Sequence, residues 1–141
     1  MTHEVVAALI IRSNRILLGR RSRTRLFYPD VWDLFGGHVE PGEAHEGTLV
    51  RELREELGIT STAWRFLETL TADIPRKTES DEPPDLLIAH LYLVTAWRGR
   101  PANRQLDEHS AIGWFSLAQA IQLPLADPIY PELFARYLNA Q

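Results

Sequence analysis

The sequence contains no cysteine, which excludes disulfides, thiolate metal sites and a cysteine nucleophile. It also lacks any apolar run approaching the roughly 20 residues needed to cross a bilayer. The amino terminus, MTHEVVAALIIRSNR, has neither the basic start nor the small-residue cleavage site of a signal peptide. A soluble, cytoplasmic protein is expected. Strong charge of one sign is missing too: the formal net charge is −4, so bulk electrostatics call for neither nucleic acid nor a membrane as partner. Lysine is almost absent, Lys77 being the only one among 15 basic residues. Arginine suits bidentate phosphate recognition, although codon bias accounts for the preference equally well.

What is present fits one globular domain over residues 1–141, long enough to bury a core. Val5 to Ile11 is a continuous, β-branched apolar run that reads as a buried strand. Ser13-Asn14 turns the chain and Arg15 to Gly19 returns as the hairpin partner. Arg20 to Arg25 is a basic loop, either a solvated connection or a source of substrate phosphate contacts, with Arg20 as the candidate. Tyr28-Pro29-Asp30 is a turn, and Val31 to Phe35 is a short strand leading into a glycine turn at Gly36-Gly37. Pro41-Gly42-Glu43 then opens a helix that Gly58 closes.

Further on, Ala63 to Ile74 alternates like a strand, Pro75 to Asp85 is a polar, proline-rich candidate for a mobile loop, and Leu86 to Trp97 reads as a central strand. His90 within it is expected to be a hydrogen-bonded core histidine rather than a ligand. Ala111 to Phe115 is a short strand, and Ser116 caps a helix from Leu117 to Gln122. Pro124, Pro128 and Pro131 break the chain before a terminal helix, Glu132 to Asn139. Mixed strands with few helices predict an α+β fold, helices covering a curved mixed sheet.

The chemistry concentrates in the mid-chain helix. At about 100° per residue, Leu49, Val50, Leu53 and Leu57 fall on one stripe, while Glu52, Glu55 and Glu56 gather on another face roughly 120° away. Glu52 and Glu56 are like charges at i, i+4, an arrangement that destabilises a helix by roughly 0.2–0.5 kcal/mol. A solvated acidic face is the plain explanation. A hard divalent cation among the carboxylates is the functional one, since Mg²⁺ takes oxygen ligands and cancels the repulsion.

The surrounding pattern favours the cation. It runs G-x5-E-x7-R-E-U-x-E-E-x-G-U, with U a bulky aliphatic residue, and is filled by Gly37, Glu43, Arg51, Glu52, Leu53, Glu55, Glu56, Gly58 and Ile59. This is the Nudix box, and the chain resembles a Nudix hydrolase of the MutT-like kind. The resemblance implies an α/β/α sandwich and Mg²⁺-dependent hydrolysis of a nucleoside diphosphate-linked substrate, with Mn²⁺ as a substitute cation. It makes Glu52 and Glu56 the direct metal ligands, with Glu55 in the cluster and the Gly37 carbonyl as a further ligand. Arg51 would orient the carboxylates. Glu52 is the first candidate for general base and Glu108 the second, with His109 beside it weaker. Glu43 is expected to be structural, favoured at the helix start by unpaired N–H groups.

Phe35 stands where related sequences often have proline, either walling a nucleoside pocket or simply filling the core. Asp127, in LADPIY, lies about where such enzymes place a base-reading residue. A nucleoside triphosphate, oxidised or not, cleaved to monophosphate and pyrophosphate is the expected reaction. Nucleotide sugars, ADP-ribose, dinucleoside polyphosphates and a non-catalytic nucleotide-sensing module are the alternatives, and many family members form homodimers. The isopentenyl diphosphate isomerase chemistry hosted on the same fold is disfavoured by the absent cysteine.

Overall fold

The computed structural model describes residues 1–25, 29–74 and 83–139. The proposed mobile loop falls, over residues 75–82, outside the described residues, as does Tyr28 of the expected turn. The first two strands, β1 (Thr2–Arg12) and β2 (Arg15–Arg21), form the expected hairpin in the register Ile10 with Leu17 and Arg12 with Arg15. Ser13 and Asn14 turn the chain with φ of 52° and 58°, the left-handed pair that a two-residue hairpin loop demands.

Five further strands complete one seven-stranded sheet: β3 (Trp32–Asp33), β4 (Phe35–His38), β5 (Thr60–Ile74), β6 (Asp85–Arg98) and β7 (His109–Phe115). Its main path runs β3-β2-β1-β6-β5, with β4 paired to β1 and β7 to β2. β1 pairs in parallel with β6 from Thr2 with Leu86 to Ile10 with Val94, while its other edge takes β4 first and β2 afterwards. The sheet is therefore mixed, as expected.

Helices cover both faces. α1 (His45–Leu57) lies over Val6, Ala8, Ile10, Tyr92 and Val94, burying Leu49, Leu53 and Leu57 among them. The opposite face, with Leu9, Ile16, Leu18 and Leu91, is covered by α2 (Leu117–Ala120) and α3 (Tyr130–Tyr137) through Ala120, Leu133, Phe134 and Leu138. This is the α/β/α arrangement that the resemblance implied. Ser116 caps α2 through a capping box with Gln119. Among the described residues, no helix is long and apolar enough to cross a membrane.

Three expectations need correction. The Val31 to Phe35 strand is split, Trp32 and Asp33 pairing with β2 while Phe35 begins β4. Gly36-Gly37 is no turn: both residues lie within β4, opposite Ala7 and Val6. A side chain on Gly36 would strike the Val6 carbonyl, so glycine serves close strand approach here instead of chain reversal. Pro131 does not break the last helix but sits in its first turn, where its missing N–H costs nothing, and α3 starts two residues earlier than expected.

Candidate active site

α1 begins after Ala44, which offers no side-chain cap, and ends at Gly58 in the left-handed conformation, φ 72°. Beyond it the chain folds back: the Ala102 and Arg104 N–H groups donate to the Leu57 and Glu56 carbonyls at 3.1 and 2.9 Å. The free carbonyls of the helix end are thereby satisfied. The same loop continues to Glu108 and His109, which Gln105 and Asn103 hold through backbone and side-chain hydrogen bonds.

Arg51 is the hub of the helix. Its Nε donates to Glu43 Oε2 at 2.8 Å and its Nη2 to Glu43 Oε1 at 3.0 Å, a bidentate pair. Nη1 reaches Glu52 at 2.9 Å and Glu55 at 3.3 Å, and Nη2 also donates to the His38 carbonyl. Glu43 further accepts from the Thr48 hydroxyl at 2.6 Å. The Arg51 guanidinium and that hydroxyl pull the Glu43 carboxyl down to about 2. Glu43 is structural, as expected, but acts by gripping Arg51 more than by capping the helix.

Helical spacing placed the three box glutamates together on one exposed face. The structure sets them at different depths. Glu55 is exposed and held by Arg51, Glu52 is largely covered, and Glu56 is buried at 4% exposure on the sheet side of the helix. The Gly36 N–H donates to Glu56 Oε2 at 3.0 Å. Donor atoms of Glu56, Glu108 and His109 lie within 4.8 Å of one another. A side chain on Gly37 would overlap the Glu52 carboxylate, so this glycine leaves room for Glu52 to lie against the backbone of β4.

Burial and like charge act together on this cluster. Burial, followed by the charges of Glu52 and Glu108, pushes the Glu56 carboxyl up to about 9. Burial raises Glu52 as well, Arg51 opposing it. Carboxylates forced together this way stay ionised at neutral pH only beside a positive charge. The carboxylates of Glu56 and Glu108, with Glu52 near enough to add its charge, offer oxygen donors of the kind that suit Mg²⁺ or Mn²⁺. His109 stands at the edge of the cluster with its Nδ1 buried and unpartnered. Burial and the nearby Arg25 and Arg21 push its ring down to about 4, keeping it neutral.

A second polar group sits where β3 meets the 124–127 segment, which is stitched to Trp32 by backbone hydrogen bonds from both sides. Asp33 Oδ1 accepts from the Tyr130 hydroxyl at 2.7 Å and from the Leu34 N–H at 2.8 Å, and Arg21 lies 3.5 Å from Oδ2. Burial holds the Asp33 carboxyl above its usual range. Asp127 is close enough to add to that rise, and its own carboxylate accepts from the Ile129 N–H at 2.9 Å.

Of the other expected substrate residues, Arg20 turns to Asp30 at 3.6 Å. Arg21 and Arg25 bring charge to His109, and Arg25 lies 3.5 Å from Glu108. Phe35 is fully buried at 1% exposure, packed on His109 with ring centroids 5.0 Å apart. Of its two readings, the core one matches this burial. Asp33 and Tyr130 went unnoticed in the sequence, whereas Arg21 and Arg25 lie in the basic stretch read there as a source of phosphate contacts, with Arg20 singled out instead.

Comparison with known proteins agrees with this geometry. The NUDIX domain profile matches residues 1–137. The chain is 36% identical to CTP pyrophosphohydrolase of Escherichia coli over 132 residues, covering 94% of this chain and 89% of that one. It is 31% identical to 8-oxo-dGTP diphosphatase of Haemophilus influenzae, covering 95% and 90%. A MutT NUDIX hydrolase from Burkholderia pseudomallei superposes with a TM-score of 0.76 at 29% identity, covering 96% and 97%. With the box filled, its carboxylates gathered against β4 and the sandwich in place, the chain belongs to the Nudix family of hydrolases acting on nucleotide phosphoanhydride bonds.

Proposed function

We propose that this chain is a divalent-cation-dependent nucleoside triphosphate pyrophosphohydrolase that releases nucleoside monophosphate and pyrophosphate. The observation that carries the proposal is the grouping of Glu56 with Glu108 and His109, with Glu52 lying against Gly37 and adding its charge, and Glu56 buried and pushed to about 9. Glu52, Glu56, Glu108 and the Gly37 carbonyl would hold Mg²⁺. When bound, the cation supplies charge neutralisation for the phosphate chain and lowers the pKa of water.

The protein's own groups do the rest. Arg51, fixed by Glu43, orients Glu52 through Oε1 and leaves Oε2 to accept a proton. As water attacks phosphorus and the phosphoanhydride bond breaks, that proton passes to Glu52, with Glu108 the second candidate. Arg25 and Arg21 flank the acidic cluster and supply charge toward the phosphates. Asp127 and Asp33, together beside Tyr130, offer hydrogen-bonding groups to a base edge. The two named relatives are described as acting on nucleoside triphosphates, one a pyrimidine and one an oxidised purine, which supports the substrate class.

A panel of CTP, dCTP, 8-oxo-dGTP, ADP-ribose and a nucleotide sugar, assayed with Mg²⁺ for monophosphate and pyrophosphate, tests this directly. Turnover of a triphosphate is expected. Turnover of ADP-ribose or the sugar alone would shift the assignment, and none at all would make the chain a nucleotide-sensing module. Glu52→Gln should lower kcat by about 10²–10⁴-fold, and an unimpaired variant would hand the base to Glu108.

A further inference from the structure

The face that holds α1 carries a second group of metal-type donors at the opposite end of the helix from Glu56. His45 opens α1, Glu4 lies on β1 and His90 on β6. Their donor atoms lie within 4.8 Å of one another. His90 Nε2 is 3.0 Å from Glu4 Oε2, and His45 Nε2 is 3.6 Å from Glu4 Oε1. The two imidazoles stack with centroids 3.9 Å apart, 22° from parallel.

We propose that Glu4, His45 and His90 form a transition-metal site of the zinc type, distinct from the oxygen-lined cluster of the box. Two imidazole nitrogens and one carboxylate are a donor set that takes zinc and that Mg²⁺ does not favour. Tetrahedral bonds of about 2.0–2.2 Å set donor atoms about 3.3–3.6 Å apart. The Glu4–His90 and Glu4–His45 separations of 3.0 and 3.6 Å fall on different carboxylate oxygens, and the rings stack 22° from parallel. His45, at the partly exposed helix start, must therefore turn out of the stack for both Nε2 atoms to face one cation. Glu4 and His45 are 42% and 37% exposed in their side chains, so water completes the coordination.

The outer contact is also in place. His90 Nδ1 lies 3.0 Å from the Thr69 hydroxyl on β5. Without metal, that hydroxyl donates to Nδ1 while the Nε2–H donates to Glu4, so His90 is satisfied as the sequence suggested. With metal, the hydroxyl accepts from Nδ1–H and the Nε2 lone pair turns to the cation. A hydroxyl can serve in either direction, so the tautomer changes without any movement of the ring. The imidazole carries one ring proton in both states, so binding moves that proton from Nε2 to Nδ1 and releases none from the ring. Binding also ties the first turn of α1 to two strands whose ligands lie about 40 positions away on either side in the chain.

The test uses tag-free, metal-stripped protein of full length and zinc alone. Imidazole ¹⁵N resonances are followed by NMR, assigned with His45→Ala. Up to one equivalent of zinc should move Nε2 of both His45 and His90 together and leave His90 Nδ1 protonated. Unmoved resonances, or movement of His109 alone, would overturn the proposal. Calorimetry provides a second measurement: His45→Ala should weaken zinc binding at least fivefold, and a smaller change rejects the site. That position is partly exposed at a helix start, so its variant is expected to fold, and it touches none of the groups assigned to hydrolysis.

Discussion

Arg51 binds Glu43, Glu52, Glu55 and a backbone carbonyl at once, so its charge is divided between holding the helix and aiming Glu52, the proposed base. Glu43 is the anchor of that arrangement. Its carboxyl falls from the ordinary 4.5 to about 2 on folding, and a group depressed in the folded state stabilises above its unfolded pKa. That stabilisation is present at neutral pH and is lost as pH drops from about 4.5 toward 2. Glu43→Gln should therefore be less stable than wild type in urea at pH 7, with the gap closing near pH 3. Equal gaps at both values would show that the pairing contributes nothing. Gly37 offers a complementary probe, because a methyl there would collide with the Glu52 carboxylate. Gly37→Ala should keep its melting temperature within a few degrees yet lose about 10²-fold in kcat, the scale on which displacement of a reacting group by an ångström acts.

At the scale of elements, α1 links core and chemistry, since the residues that bury it and the residues that react differ by single steps of helical rotation. Leu53 is fully buried in the core beneath α1 and follows Glu52 directly in the helix. Leu53→Ala should cost about 2–5 kcal/mol, read as a shift in denaturant midpoint, and lose activity beyond the fraction unfolded because Glu52 loses its support. The limits of sequence reading are also clearest in this helix. Periodicity correctly marked Leu49, Leu53 and Leu57 as the inner stripe, and the box pattern named the glutamates. Periodicity alone could not tell that Glu56 borders that stripe closely enough to be carried inward, because where the sheet ends is a property of β4 and not of the helix. Gly36-Gly37 was mistaken for a turn for the same reason: glycine permits both reversal and close approach, and only the position of β1 decides. Asp33 and Tyr130, 97 residues apart and joined by one hydrogen bond, had no local pattern to betray them.

For the whole molecule, the buried acidic cluster is expected to make stability depend on cations. Glu56 rises to about 9 in the folded chain, from 4.5, and a raised carboxyl stabilises below its unfolded pKa and ceases to do so as pH climbs through the folded value. In a chelator, the melting temperature should fall between pH 7 and 9, while His109 and Glu43 act only at more acidic pH. Mg²⁺ should remove the decline, and Glu56→Gln should show none in either condition; a wild-type profile indifferent to chelation would contradict the cluster's assignment. The parallel pairing of β1 with β6 has a consequence of another kind. Thr2 must wait for Leu86, so at about 5–20 residues per second of synthesis the first strand leaves the ribosome several seconds before its long-range neighbour exists. During that interval the β1–β2 hairpin exposes an unmatched apolar edge, making the nascent chain a natural client for chaperones. Slowing translation just upstream of β6 should lower the yield of native protein more than the same pause placed after it.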